Sequence, residues 1–223
     1  MENEKKNSVV YERFLKPDEI EKRSFEIISK ELEQAGICLE DETSFIVKRC
    51  IHTSADLDYA RTMCFSEKAV EKLKGLLKNG ACIVTDTNMA LSGINKKKLA
   101  AIGSKAFCFM ADEDVVSEAS KRGITRAAVS MEKASRLNEK VIFAIGNAPT
   151  ALIRLHELMR ENIFTPEFVI GVPVGFVNVE YAKELFIGSD VPYIINRGRK
   201  GGSNIAAAIC NAVIYAVDPP RIR

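Results

Sequence analysis

The chain has 223 residues, 47% of them hydrophobic and 28% charged, a globular composition that excludes disordered and fibrous classes. Its 32 basic residues face 30 acidic ones, too even a balance for a nucleic-acid binder. With no Trp and 7% aromatic residues, the platforms that stack single-stranded bases are poorly supplied.

Residues 1–15 read as a loose polar tail, with no apolar segment of a secretory signal. Residues 18–34, DEIEKRSFEIISKELEQ, repeat Ile20, Phe25, Ile27, Ile28 and Leu32 at helical spacing, with Asp18 to cap and Gly36 to stop. Residues 42–52 predict a second helix burying Phe45, Ile46, Cys50 and Ile51, although FIVKRCI by itself also suits a strand because of its β-branched residues. A third helix is expected at 66–79. Short apolar runs then recur: ACIVTD (81–86), AFCFM (106–110), VIFAI (141–145), FVIGV (168–172) and YIIN (193–196). Helical stretches separate them, at 94–102, 113–121, 127–138, 149–161, 178–186 and 203–216. This alternation predicts one domain over 1–223, a three-layer α/β/α fold on a mostly parallel five-stranded sheet. It is Rossmann-like, without the dinucleotide fingerprint. No apolar run approaches bilayer-spanning length. The six cysteines are scattered, without a CxxC pair, and read as small hydrophobes in a reducing cytoplasm and not as a disulfide or zinc framework.

Ligands of open parallel sheets bind at the carboxyl ends of the strands, so the loops that follow the five runs carry the chemistry. TDTNM sets Thr85, Asp86 and Asn88 at the end of the first run; an Asp there either orients a base or substrate, or stabilises a turn. GNAPT opens a helix with Pro149 in its first turn and Asn147 as cap, and its free N–H groups suit a carboxylate or phosphate, or form a plain turn. NRGRKGGSN (196–204) places Arg197, Arg199 and Lys200 in a glycine-rich loop, with Ser203 to cap the last helix. Glycines admit a ligand close to the backbone and arginines grip carboxylates, which suits a polyanion; a solvated basic turn is the alternative. The loop has neither Walker A nor GxGxxG spacing.

There are two histidines. His156 falls mid-helix in RLHELM and reads as structural. His52 falls near a helix end in KRCIHTSAD, with Arg49 and Asp56 a turn to either side if the helix continues. It suits a capping role as well as acid–base work.

Taken together, RCIHTSAD, TDTNMALSGI, AIGNAPTAL, GVPVGF and RGRKGGSNIAAA, in this order and spacing from EKRSFEII (21–28) to the last helix, resemble the precorrin-8X and cobalt-precorrin-8 methylmutases. The pattern departs at Asn178, where a Gly is expected, and at Tyr181, where a small residue is. The resemblance implies an isomerase of cobalamin synthesis that moves a methyl group from C-11 to C-12 of a contracted tetrapyrrole, giving cobyrinate or hydrogenobyrinate. It implies a homodimer acting on a small-molecule corrinoid, with no redox cofactor, nucleophile or protein-bound metal, and no nucleic-acid or membrane partner. It makes His52 the proton donor and acceptor, with Ser24 and Arg49 as substrate contacts. The carboxylated rim of such a substrate would be edged by Arg49, Arg126, Arg197, Arg199 and helix N-termini, with Thr85, Asp86, Asn88, Asn147 and Thr150 as further substrate-binding residues. A non-catalytic tetrapyrrole carrier is the alternative, and would not need His52.

Overall fold

The computed structural model describes residues 16–217; the expected tail over 1–15 lies outside them. Helix α1 (Pro17–Gln34) starts with proline in its first turn, where a missing N–H costs nothing. Helix α2 (Asp41–Ser54) settles the FIVKRCI ambiguity, since the buried residues Ile46, Val47, Cys50 and Ile51 recur at helical spacing. A single turn, α3 (Tyr59–Thr62), leads into β1 (Met63–Phe65), and α4 (Ala69–Lys78) follows. The chain then runs β2 (Cys82–Thr85), α5 (Asn88–Gly93), α6 (Lys96–Ala101), β3 (Ala106–Phe107), α7 (Glu113–Arg122), α8 (Arg126–Ala134) and β4 (Val141–Ile145). It ends with α9 (Pro149–Arg160), β5 (Phe168–Gly171), α10 (Val179–Glu184), β6 (Tyr193–Asn196) and α11 (Ser203–Val217).

The sheet has six strands, not the expected five, in the order β1-β6-β5-β4-β2-β3. The addition is β1, antiparallel to β6 with Cys64 opposite Ile195. Three residues are too few to show an alternation, so only the distant partner strand defines β1. The helix expected at 94–102 is α6, capped by Asn95, whose Oδ1 accepts the Lys98 N–H; the turn and a half of α5 before it falls in a segment that reads as a loop from the sequence. AFCFM shortens to the two residues of β3 at the sheet edge.

Strands β2, β4, β5 and β6 are buried along their whole length, as expected with helices on both faces. Ile83, Ile142, Ala144, Ile170 and Ile194 pack toward α1, α2, α4 and α11. Val84, Phe143, Ile145, Val169 and Ile195 pack toward α8 and α9 and the α10 residue Ala182. Among the parallel strands the chain reverses its direction of travel between β2 and β4, the topological switch point where open α/β sheets hold ligands. Among the described residues, no helix is long and apolar enough to cross a membrane.

Candidate active site

The crevice at the switch point is filled from within. The Asp86 carboxylate, fully buried, accepts N–H bonds from Gly146 (2.9 Å), Asn147 (2.8 Å) and Ala148 (2.6 Å). Burial pushes this carboxyl above its ordinary range, against the pull of the three donors. The N–H groups of the GNAPT turn therefore hold a carboxylate, as the sequence suggests, but it is the chain's own. Asn147 is exposed and the cap position falls to Ala148. Thr85 is buried too, donating to the carbonyls of Thr87 and Phe107. Asn88 is exposed at the start of α5, whose cap is Thr87. The Thr87 hydroxyl also meets that of Ser203, 2.7 Å away; Ser203, expected as the cap of the last helix, is instead the first residue of α11. A Cβ on Gly146 would lie 2.7 Å from the Ser203 Cα, so only glycine lets the β4 turn and α11 meet.

The loop Arg197–Gly202 is pinned carbonyl by carbonyl. Asn196 Nδ2 donates to Arg197 O and Lys200 O. Lys183 Nζ donates to Gly198 O (2.6 Å) and Lys200 O (2.9 Å). The Gly175 N–H donates to Arg199 O, and the Gly202 N–H to Val172 O. A Cβ on Gly201 would lie 2.1 Å from Val172 O, which fixes that residue as glycine. Arg197 and Arg199 stay exposed, paired with Glu184 (3.2 Å) and Glu180 (3.1 Å) of α10. Exposed pairs of this kind are worth no more than about 1 kcal/mol, so both guanidiniums are easily surrendered to a ligand.

His52 lies in the last turn of α2 and is exposed, its ring 5.3 Å from that of Phe25 on α1. Both charged neighbours read from the sequence are engaged elsewhere. Arg49 donates to Glu21 (2.8 Å) and lies over the rings of Phe25 and Tyr215. The helix stops at Ala55, in the left-handed region at φ 54, so Asp56 leaves it and pairs with Lys200 at 2.6 Å. The Lys200 ammonium holds the Asp56 carboxyl below its ordinary range. Lys200 also reaches Asp58 at 2.6 Å, and Thr62 donates to Asn196 Oδ1. The segment after His52 and the arginine loop are thereby stapled together. Ser24, half-buried on α1 next to Phe25, donates to Ile20 O.

Arg126 and Thr150 form a separate group. Arg126 is exposed at the start of α8, and its neighbour Thr125 donates to the Thr150 hydroxyl in the first turn of α9. Apolar side chains lie bare along the β5–α10 connection: Phe176 is 82% exposed, with Arg199 over its ring, and Val177 is 77% exposed. Asn178, where a Gly is expected, has φ +58, a conformation open to Gly and tolerated by Asn. His156 packs edge-on against Phe186. Burial pushes the thiols of Cys50 and Cys210 up to about 12 and that of Cys82 up to about 11, which keeps all three protonated near neutral pH.

Two residues of the site escape a motif reading. Phe25 was legible only as core. Lys183 stands at the buried slot of the stripe Val179, Ala182, Phe186, and a lysine on the apolar side of a helix is itself the signal. Burial pulls its ammonium down to about 8.

Comparison with known proteins shows the family. Residues 19–216 match the family model of precorrin-8X methylmutase. The chain is 44% identical to the cobalt-precorrin-8 methylmutase of Salmonella typhimurium, over 89% of this chain and 95% of that one. It is 36% identical to the precorrin-8X methylmutase of Pseudomonas aeruginosa, over 87% and 93%. The crystal structure of the Thermus thermophilus precorrin-8X methylmutase superposes with a TM-score of 0.79 at 35% identity, over 89% and 96% of the two chains. The present chain belongs to the precorrin-8X methylmutase family and is an isomerase of cobalamin biosynthesis.

Proposed function

We propose that this enzyme moves a methyl group from C-11 to C-12 of cobalt-precorrin-8, with His52 giving a proton to the macrocycle and taking it back. The carrying observation is an exposed imidazole on a segment that the Asp56–Lys200 pair ties to a loop presenting two exposed, weakly paired arginines. A proton on the conjugated ring withdraws electron density and lowers the barrier to a 1,5-shift; the methyl leaves C-11 as it bonds to C-12, and the proton returns, so no atom is gained or lost. The ring carries acetate and propionate groups. Arg197 and Arg199 take carboxylates of that rim in bidentate fashion, with Arg126, Thr150, Asn88 and Asn147 further along the strand ends. Ser24 and Arg49 stand on the His52 side. Thr85 and Asp86 act behind the surface, by shaping the β2 and β4 loops. The work is done in the cytoplasm, whose reducing conditions suit six free cysteines.

The cobalt-containing substrate is favoured by the higher identity to the Salmonella enzyme than to the Pseudomonas one. Incubation with cobalt-precorrin-8 and, separately, with metal-free precorrin-8 is expected to give rearranged product, read by its absorbance change, faster from the cobalt form. Turnover of the metal-free compound alone would reverse the assignment. Binding of both without any conversion would make the protein a carrier.

The enzyme works as a homodimer, in which a second subunit covers part of the bare apolar connection at Phe176 and Val177. Sedimentation is expected to give one species of twice the chain's mass, and Phe176→Asp to shift it toward monomer. A wild-type monomer at micromolar concentration would refute the dimer.

A further inference from the structure

Lys183 has no substrate-facing surface, yet it is tied to the part of the molecule most able to hold an anion. Its side chain is fully buried in α10. No carboxylate stands within ion-pair distance of it among the described residues; its neighbours Glu180 and Glu184 pair with Arg199 and Arg197 instead. A buried cation without a counter-ion is costly, and here it is satisfied by two carbonyls of one loop, Gly198 O and Lys200 O. Each carbonyl belongs to a peptide unit whose other end is an N–H: that of Arg199 in the first case and Gly201 in the second. Neither N–H has an acceptor among the described residues, and the same holds for Gly198 and Lys200. The four carbonyls of Arg197–Lys200 are all occupied while the N–H groups between them are free. Gly198 at φ +72 supplies the left-handed residue with which successive amides form an anion-binding concavity.

We propose that Lys183 is a positioning residue for the reaction: it holds and polarises the peptide units of Arg199 and Gly201 from behind, so that their N–H groups bind a carboxylate of the substrate rim. Hydrogen bonds in series strengthen one another, so a cation at the carbonyl end makes the N–H end a better donor. The charge acts on the ligand through the backbone, without touching it. The identity of the anion rests on the proposed corrin substrate; the hold on the loop does not.

Two readouts separate these. In Lys183→Met, hydrogen exchange at the Gly175 and Gly202 amides, which bond to Arg199 O and Val172 O at the two ends of the loop, should accelerate by about tenfold or more. With cobalt-precorrin-8 as substrate, KM should rise about tenfold, the loss of one charge-assisted contact, while kcat stays close to that of the wild type because His52 is untouched. Lys183→Gln, which keeps a donor without the charge, should restore exchange protection more than KM. Unchanged exchange in a folded Lys183→Met overturns the hold on the loop. Accelerated exchange with unchanged KM overturns the role toward the anion. Equal loss in kcat and KM, or failure of both variants to fold, reduces Lys183 to a structural residue. A wild-type protein that neither binds nor converts the corrin sinks the proposed function, and the exchange arm then still decides on the loop.

Discussion

His52→Ala is expected to lower kcat for the methyl shift by about 10²- to 10⁴-fold, the usual worth of a positioned general acid or base. Affinity for the corrin product should change by less than about tenfold. The reason lies in what the imidazole touches. It is exposed, and its ring contact is with Phe25 at 5.3 Å, a pair worth about 0.5–1.5 kcal/mol at most. Removing it leaves α2 packed on α11 and the arginine loop stapled through Lys200. Activity and binding should thus separate in a variant with a near-normal melting temperature. Parallel loss of both would make His52 a binding residue; retained turnover would remove it from the chemistry.

Asp86→Ala should show the opposite pattern, a large loss of stability. Three N–H groups lose their acceptor, one of them on the buried Gly146. Each buried donor left unmet costs about 1–3 kcal/mol, partly offset by no longer burying a charge. A net loss of about 3–5 kcal/mol would lower the melting temperature by roughly 10 °C or more in a chain of this size. Asp86→Asn should recover part of this, because its amide oxygen can still accept from Asn147 and Ala148 while its NH2 faces the Gly146 N–H. A melting temperature within about 2 °C of the wild type would show the carboxylate to be dispensable to the fold and return it to the ligand.

Much of this was legible in the sequence, for reasons that differ along the chain. VIFAI and YIIN match β4 and β6 residue for residue, because a strand covered on both faces needs unbroken apolar residues and has no freedom to be otherwise. MCF was not legible, since an edge strand of three residues takes its structure from β6 alone. In the site, the basic loop announced itself by composition. Asp86 did not reveal its partner: an aspartate at a strand end and free amides at a helix start each pointed to a ligand, and the structure satisfies one with the other. Around His52 the sequence left Asp56 dependent on the helix continuing; it does not, because Ala55 turns left-handed and carries Asp56 away toward Lys200.

The packing of α2 against α11 has a consequence for how the protein is made. The helix that bears His52 leaves the ribosome early, whereas the helix that covers its buried face is synthesised only after every strand. Strand β1 likewise waits for β6. Such pairings are of high contact order, slow to close and exposed to misassembly while they wait. Until α11 arrives, Ile46, Val47 and Cys50 of α2 have lost a main part of their cover. The face that carries His52 is therefore among the last regions to fold on the nascent chain, and a synthesis arrested before Ser203 leaves a complete set of strands with α2 uncovered.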